Sequence, residues 1–375
     1  MDKIEAINRN NYDVIVVGGG IAGVAASVSA AREGARVLLI EKQINLGGLA
    51  TGGLISWYEP LCDGNGKQIV FGIAEELIKL SVKYCYDSLP EEWGGTERSF
   101  PRKDRYATRY SPTVFSLLLD EYVKNNGVDI LFDTYATYPV MEGNVCKGVI
   151  VENVDGRGFY GADAVIDATG DASIMFRAGV PCKEGVNYLT YLVHEIDDEV
   201  IEEYVKTGHT WTIRNWLNAG SDMNGNGHPE GKKMMSGTTA AEITEYVIDG
   251  KLRMLEKIKK NPRYGYDLMS IPTMPQFRTI RHILGDGDFR ADTQERFSDS
   301  IGTLTDFRAN KIGYTYDIPL SSLYNSEFPN LFAAGRIIST STFDGWEVAR
   351  VIPSCALTGE TAGKVAANLS KSKNS

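Results

Sequence analysis

Three glycines near the amino terminus, and a glutamate after them, have the types and spacing that a phosphate-containing ligand needs. Gly18 permits a tight turn, Gly20 lets a backbone N–H approach a pyrophosphate, and Gly23 lets a helix pack closely on a strand. Glu41 follows at the spacing of about 20 residues that such sites use, and its carboxylate can accept both hydroxyls of an adenosine ribose. These residues predict that the chain binds an adenine dinucleotide.

The elements around these residues are the ones that position them for this task. An apolar strand at Val14–Val17 leads into the glycines, an Ala-rich helix ends at Gly34, and a second apolar strand at Val37–Ile40 ends beside Glu41. The first N–H groups of such a helix are unpaired and carry the positive end of the helix dipole, so they can face phosphates. This context makes a common glycine pattern specific.

The first glycine pattern does not separate NAD from FAD, but three later segments favour FAD. Gly47 and Gly48 place flexible backbone where a longer cofactor would run. Ala168–Asp171 places small residues at the end of a strand, beside the first glycine turn. Leu331–Arg336 precedes a helix that begins near Pro353, and the dipole of that helix can stabilise negative charge on a reduced flavin.

The middle of the chain contains further strands. Three of them are predicted at Val128–Tyr138, Val145–Glu152 and Ala162–Ala168. Residues 181–315 lose the alternation of strands and helices, and a strand is predicted there at Gln276–Leu284. The alternation returns after residue 316 and ends in a helix predicted at Pro353–Leu369.

Several motifs in a fixed order resemble the broad family of FAD-dependent oxidoreductases with the glutathione-reductase type of FAD-binding fold. The motifs are VVGGGIAG, EK, GGLAT, DATGD, IPLSSL, LFAAGR and TGETAG. The resemblance implies an α/β fold with a Rossmann-like domain of three layers, a mostly parallel sheet and a three-stranded β-meander. This FAD-binding domain would be discontinuous, and an α+β substrate domain would be inserted into it. The predicted segments are 1–56, 113–180 and 316–375 for the FAD-binding domain, and 57–112 and 181–315 for the insert.

The resemblance also implies which residues hold FAD. Glu41 would hold the adenosine ribose, and Ala136 would meet the adenine through its backbone. Gly335 and Arg336 would lie at the ribityl and phosphate end. No histidine precedes residue 194 or follows residue 282, so the imidazole that often tethers flavin is absent. A non-covalent FAD is expected, and attachment through a cysteine or a tyrosine is the alternative. The other residues assigned to FAD are Gly18, Gly20, Ile21, Ala22, Gly23, Lys42, Gly47, Gly48, Thr51, Ala168, Thr169, Gly170, Asp171 and Pro353.

Arg278 and His282 are candidates for catalysis. They lie in RTIRHILG, a segment similar to an Arg-rich pattern of many relatives. On the strand predicted at Gln276–Leu284 they would share one face, because side chains alternate along a strand. There the guanidinium could clamp a carboxylate while the imidazole exchanges a proton near neutral pH. The alternative is that both residues form interdomain ion pairs or cap loops.

Arg350 is the third catalytic candidate, because it stands just before the last helix. It either anchors the substrate or forms a structural salt bridge with Asp344 or Glu347. Many relatives carry a histidine after the Gly-Arg turn, but residues 339–350 contain none. The resemblance therefore assigns no catalytic acid or base.

Composition limits the remaining classes. The 375 residues include 43% hydrophobic and 23% charged residues, and the formal net charge is −10, which opposes nucleic acid as a partner. No apolar run approaches the roughly 20 residues of a membrane span. The five cysteines lack metal-site spacing, so reduced thiols, no metal site and a cytoplasmic location are expected.

The sequence therefore predicts a FAD-dependent oxidoreductase. It would act on a small organic metabolite, expected here to be anionic, by hydride transfer to or from the flavin. One alternative is a flavoprotein of RNA modification, and another is a flavin-binding scaffold protein without turnover. The sequence assigns no substrate, electron acceptor or oligomeric state.

Overall fold

The computed structural model describes residues 5–96, 106–208, 212–260 and 265–374. In chain order, the strands within these residues are β1 (Ile7–Val17), β2 (Val37–Ile40), β3 (Trp57–Tyr58), β4 (Thr108–Arg109), β5 (Asp129–Leu131), β6 (Tyr135–Glu142), β7 (Val145–Asn153), β8 (Gly156–Asp167), β9 (Cys182–Glu184), β10 (Leu192–Asp197), β11 (Asn215–Asn218), β12 (Tyr266–Ser270), β13 (Arg281–Ile283), β14 (Ser300–Thr305), β15 (Thr315–Pro319) and β16 (Leu331–Ala333). The helices are α1 (Ile21–Arg32), α2 (Ile73–Ser81), α3 (Pro112–Asn125), α4 (Ser173–Ala178), α5 (Asp198–Thr207), α6 (Ala240–Lys260), α7 (Phe343–Ala349) and α8 (Ile352–Asn374).

The central sheet has the order β5-β2-β1-β8-β7-β6, and β16 also pairs with β8. Strands β5, β2, β1, β8 and β16 run parallel, whereas β8, β7 and β6 form an antiparallel meander. The long strand β8 serves both parts, because its first half pairs with β7 and its last three residues pair with β16. The predicted α/β class, with a mostly parallel sheet and a three-stranded meander, is confirmed.

The strand predicted at Val128–Tyr138 is wrong in its extent, because the chain forms two strands there. β5 pairs with β2 in the parallel sheet, and β6 pairs with β7 in the meander. Asp133, between them, has a positive φ of 48°, which breaks the extended conformation and turns the chain from one part of the sheet to the other. Both halves are apolar enough to look like one strand in the sequence.

The parallel strands bring four loops together at one edge of the sheet. β1, β2, β8 and β16 end at Val17, Ile40, Asp167 and Ala333, and the register places these ends side by side. Open α/β sheets bind ligands outside the carboxyl ends of their strands. The loops that follow these strands contain the glycine turn, Glu41, the Thr-Gly-Asp segment and the Gly-Arg segment.

Helix α8 packs on α1 at backbone distance because two glycines face it. A Cβ atom on Gly359 would lie 2.2 Å from the Ala22 carbonyl oxygen, and one on Gly363 would lie 2.3 Å from that of Ala26. Such contacts are too short for any larger residue. Close packing of α8 on α1 brings the amino termini of both helices to the same edge of the sheet.

A second layer of structure lies beyond that edge. Strands β11, β10 and β12 form an antiparallel sheet, with helix α6 in the same region. Its buried apolar residues form two clusters separate from the main core: Leu189, Met235, Tyr246, Phe277 and Ile280 in one, and Tyr191, Val193 and Met254 in the other. The main core also includes Tyr58, Phe289 and Leu304 from the segments predicted as the insert. The domain division itself stays a prediction, and residues 97–105, 209–211 and 261–264 of the insert lie outside the described residues.

The strand predicted at Gln276–Leu284 is also too long, because only Arg281–Ile283 pairs with a neighbouring strand. The N–H groups of Arg278 and Thr279 donate to the Asn187 side chain instead. With no ladder before residue 281, the argument that Arg278 and His282 share a strand face is wrong.

Among the described residues, none of the helices combines the length and the apolar character that crossing a membrane requires.

Candidate active site

A cavity of about 1050 Å³, including space open to solvent, lies at the loop edge of the sheet. One wall comes from the loops after β1, β2, β8 and β16. The opposite wall comes from the second layer and from the start of α8. Most of the residues assigned to FAD line it: Gly18, Gly20, Ile21, Ala22, Glu41, Lys42, Gly47, Gly48, Ala168, Thr169, Gly170, Asp171, Gly335 and Arg336.

The glycine turn fits a pyrophosphate. A Cβ atom on Gly18 would lie 2.5 Å from the Ala168 carbonyl oxygen, and one on Gly23 would lie 1.8 Å from the Gly18 carbonyl oxygen. Both positions are therefore packed against backbone. Gly20, the N-cap of α1, has no atom within 4 Å of its Cβ position and faces open space. The amino terminus of α1 is thus exposed to a ligand while its support is tightly packed.

Glu41 is positioned by the turn that it faces. One carboxylate oxygen accepts the Gly19 N–H at 2.6 Å, and the other accepts the Gln43 N–H at 2.8 Å. Each oxygen keeps a second lone pair, so the carboxylate can still accept ribose hydroxyls. Glu41 and Ala136 also line a smaller adjoining cavity of about 380 Å³, including space open to solvent. The contact of Ala136 with the adenine stays a prediction.

Three residues assigned to FAD lie behind the cavity wall. Gly23 packs on the glycine turn, and the Thr51 hydroxyl donates to the Leu46 carbonyl oxygen. Pro353 is buried in the first turn of α8. These residues support the surface that would hold FAD and do not line it.

Asp167 was not among the residues assigned from the sequence, although it begins the DATGD motif. Its carboxylate is fully buried and accepts the N–H and hydroxyl of Thr169, and the N–H groups of Ile174 and Met175. Burial raises the pKa of Asp167 to about 6, although these four donors favour the charged form. The side chain fixes the Thr-Gly-Asp loop to α4 and so shapes one wall of the cavity.

Arg336 joins the FAD-motif wall to the second layer. Its guanidinium donates to the carbonyl oxygens of Gly170 at 2.6 Å and of Phe277 at 2.8 Å. Burial lowers the pKa of Arg336, but an arginine stays charged at neutral pH. Among the described residues, no carboxylate forms an ion pair with Arg336. This cation in the cavity wall suits an anionic ligand.

The amino terminus of α8 also reaches the cavity, through Ile352 and Cys355. Behind it lies Glu59, which the sequence did not single out. This buried carboxylate accepts the Ile352 N–H at 3.1 Å. Burial raises the pKa of Glu59 from 4.5 to about 7, and the Ile352 bond and the nearby Arg350 offset part of that shift.

The three catalytic candidates do not meet in one cavity. Arg350 lines the large cavity and forms a bidentate ion pair with Glu347, with Nε at 3.1 Å from Oε1. Asp344, the other partner considered for Arg350, pairs with Arg308 at 2.9 Å. Arg278 lines a different cavity, and its guanidinium donates to the Asp222 carbonyl oxygen at 3.2 Å.

His282, the third candidate, is a buried side chain. Its Nδ1 is 2.9 Å from the Ile283 carbonyl oxygen, and its ring packs edge-on against Trp346 with centroids 4.7 Å apart. Burial lowers the pKa of His282, so the neutral imidazole is favoured. It does not line either cavity.

The outer wall of the large cavity is apolar, and sequence reasoning missed it. The residues of this wall are uncharged and come from the second layer. They are Gly237, Ile243, Met274, Pro275, Phe277 and Ile280. No local pattern marks these residues, because they reach the cavity from a helix and from an irregular segment. The prolines at 272 and 275 are the one sequence signal that the segment is not a regular strand.

Comparisons with known proteins agree with this geometry. A sequence profile described as "FAD dependent oxidoreductase" matches residues 13–190 and 208–375. The chain is similar to a digeranylgeranylglycerophospholipid reductase of Methanoculleus marisnigri, with 29% identity over 50% of this chain and 47% of the relative. It is also similar to a fumarate reductase (cytochrome) of Shewanella frigidimarina, with 30% identity over 43% of this chain and 34% of the relative. The matches thus span less than half the length of these curated relatives.

A solved structure shares the overall fold. It is a flavoprotein/dehydrogenase of Cytophaga hutchinsonii, with a TM-score of 0.50 and 16% identity over 96% of this chain and 79% of that protein. At this identity the likeness concerns the fold alone. The family profile covers most of the chain, including every residue that lines the large cavity. The chain belongs to the FAD dependent oxidoreductase family, and FAD is its cofactor.

Proposed function

We propose that the chain is an oxidoreductase that acts on a small organic, anionic molecule by hydride transfer to or from a non-covalently bound FAD. The supporting observation is that the FAD-motif residues and an apolar wall line one cavity, so cofactor and substrate have room to meet. FAD supplies the hydride or electron chemistry when bound, and the protein supplies binding and orientation.

The residues of the cavity have separate tasks in this proposal. Gly20 and the amino terminus of α1 would hold the pyrophosphate, and Glu41 would hold the ribose. Phe277 and Ile280 would exclude water from the reacting part of the substrate. Arg350, held in place by Glu347, would orient the anionic group of the substrate together with the neighbouring Arg278.

His282 has no such task in this structure, because its ring is buried and outside the cavity. A role for it as proton donor or acceptor stays a prediction from the sequence. Arg278 lies next to the Glu347–Arg350 pair and stays a candidate for substrate binding.

The test begins with purified protein. We expect flavin absorbance in the native protein, release of free FAD on denaturation, and bleaching of the flavin by one or more members of a panel of carboxylates, amines and alcohols under anaerobic conditions. Arg350→Ala should slow bleaching by an anionic substrate by about tenfold to a hundredfold, the value of a charge-assisted contact. Lys251→Ala, an exposed change on α6, serves as the control.

Two results would contradict the proposal. Protein without flavin that does not bind FAD would remove its basis. Bound flavin that neither dithionite nor any compound of the panel reduces at a useful rate would favour the scaffold alternative. The RNA alternative requires retention on tRNA at physiological salt, which the net charge of −10 opposes. The cytoplasmic location stays a prediction from the sequence.

A further inference from the structure

A second cavity of about 910 Å³, including space open to solvent, adjoins the first. Glu347 lines this outer cavity. Its ion-pair partner Arg350 lines the large cavity described above, which is called the FAD-motif cavity from here on. The two side chains are largely buried, with side-chain exposures of 7% and 19%. A single buried ion pair therefore lies between the two cavities, and neither the family motifs nor the FAD-binding loops account for the outer one.

The outer cavity has an excess of positive charge at the ion pair. Arg278 lines it, is half-buried, and makes one guanidinium hydrogen bond, to the Asp222 carbonyl oxygen. Within the described residues, no carboxylate lies within ion-pair distance of Arg278. The charges of Glu347 and Arg350 cancel, so Arg278 leaves these three side chains with a net charge of about +1. The nearby Asp222 carboxylate, which does not line the cavity, offsets part of that charge. A half-buried cation of this kind is compensated well by one anion.

Four apolar side chains that face solvent also line the outer cavity, together with the polar residues Asn187, Tyr188, Asn224, Gln276 and Thr279. Val186, Met223, Met234 and Phe343 are 60%, 40%, 38% and 69% exposed, respectively. Single exposed apolar side chains are ordinary, but four around one cavity form a patch of the kind that binds ligands. Methionine is well suited to such a surface, because its flexible thioether adapts to different apolar shapes.

We propose that the outer cavity is a binding subsite for the substrate, which is an organic acid with an apolar body. Its anionic group binds Arg278 beside the Glu347–Arg350 pair, and its apolar body covers Met223, Met234 and Phe343. A neutral apolar ligand would leave the charge of Arg278 uncompensated, and a small hydrophilic anion would leave the apolar side chains exposed. This inference rests on the proposed function only in taking the bound acid as the substrate, since binding in the outer cavity needs no flavin chemistry.

The test is direct binding of a probe to the FAD-containing protein. Decanoate is the probe, decanamide is its neutral analogue, and butyrate is a short anion with the same head group. We expect calorimetry to show saturable binding of decanoate, at least tenfold tighter than that of decanamide or butyrate. Decanoate should also shift the visible absorption band of the flavin, because the subsite adjoins the FAD-motif cavity.

Variants separate the two parts of the subsite. Arg278→Ala should weaken decanoate about tenfold to a hundredfold and leave decanamide unchanged, whereas Arg278→Lys should recover part of the loss. Phe343→Ala, at a position that is 69% exposed, should weaken decanoate and decanamide alike. Lys251→Ala should change neither.

Equal affinity for decanoate and decanamide, no saturable binding of decanoate, or an unchanged decanoate affinity in Arg278→Ala would each overturn the inference. These failures are distinct from failure of the proposed function, because the flavin content and the bleaching by other compounds would stay as they are. Loss of flavin or of all bleaching, with decanoate still bound through Arg278, would instead contradict the proposed function and leave the binding subsite intact.

Discussion

Single buried side chains should make the free energy of unfolding depend on pH. Glu59 lies behind the start of α8, and burial raises its pKa to about 7. An acid with a raised pKa in the folded state binds more protons when folded than when unfolded, between its ordinary value of 4.5 and about 7. The free energy of unfolding therefore falls as the pH rises through this range, by up to about 3 kcal/mol at about 1.4 kcal/mol per pKa unit.

Replacing Glu59 by Gln should remove that dependence. The amide oxygen can still accept the Ile352 N–H, but the side chain carries no charge. We expect Glu59→Gln to raise the free energy of unfolding by about 1 to 3 kcal/mol at pH 8 and to change it little at pH 4.5. Urea unfolding at both pH values and a fixed FAD concentration measures this. If the free energy of unfolding of the variant depended on pH as steeply as that of the native protein, burial of the Glu59 charge would not destabilise the fold.

His194 should have the opposite effect. The Trp216 indole N–H donates to its Nε2 at 3.0 Å, so the ring is neutral, and burial with the cations Arg109 and Arg214 nearby lowers its pKa to about 4. Between pH 6.5 and 4 the unfolded chain binds the extra proton, so the free energy of unfolding falls as the pH falls, by up to about 3 kcal/mol. His194→Gln should flatten this acid slope in urea unfolding measurements. The two residues oppose each other near pH 5 to 6, so each needs its own variant.

At the scale of elements, two glycines in the turn between β1 and α1 have different roles. Gly23 supports the turn by close packing, whereas Gly20 would contact the cofactor. Gly20 faces open space, whereas Gly23 contacts the Gly18 backbone. Gly20→Ala should fold with nearly the native stability but bind FAD at least tenfold more weakly, because the new methyl group lies where a pyrophosphate would approach.

Gly23→Ala is the matched comparison. Its Cβ would lie 1.8 Å from the Gly18 carbonyl oxygen, so the helix or the turn must move. Overpacking of this kind costs about 1 to 3 kcal/mol, more than the gain of about 1 kcal/mol in helix propensity. We expect lower stability and weaker FAD binding together. FAD titration and urea unfolding of both variants test the distinction, and normal FAD affinity in Gly20→Ala would place the pyrophosphate elsewhere.

At the scale of the whole molecule, FAD would connect parts of the chain that are far apart in sequence. The cavity wall combines residues near positions 18, 41, 168, 280 and 336. A ligand that binds only the folded state at 100 times its Kd stabilises by about 2.7 kcal/mol. Removing FAD should therefore lower the unfolding midpoint, and adding FAD should restore it in proportion to the logarithm of its concentration. A midpoint independent of FAD would contradict binding in this cavity.

The sequence alone determined the parts of this protein that depend on local patterns. The segment from Val14 to Glu41 could be predicted as a strand, a turn, a helix and an acidic residue. Each of these parts needs particular residue types at a short spacing. The same holds for β7, for the end of β8 and for the start of α8. Most of the residues assigned to FAD line one cavity, because parallel strands bring their following loops to the same edge of the sheet. Their contacts with FAD stay a prediction.

Only the tertiary structure decided what faces that edge. Phe277 and Ile280 reach the cavity from a segment whose backbone is held by the Asn187 side chain, so no strand period marks them. Glu59 matters through its contact with the start of α8, and no spacing in the sequence reveals that partner. The sequence offered both Asp344 and Glu347 as partners of Arg350, and the structure selects Glu347. The cofactor side of the site is built from short local motifs, whereas the substrate side is built from long-range packing, and this physical difference sets the limit of what the sequence could tell.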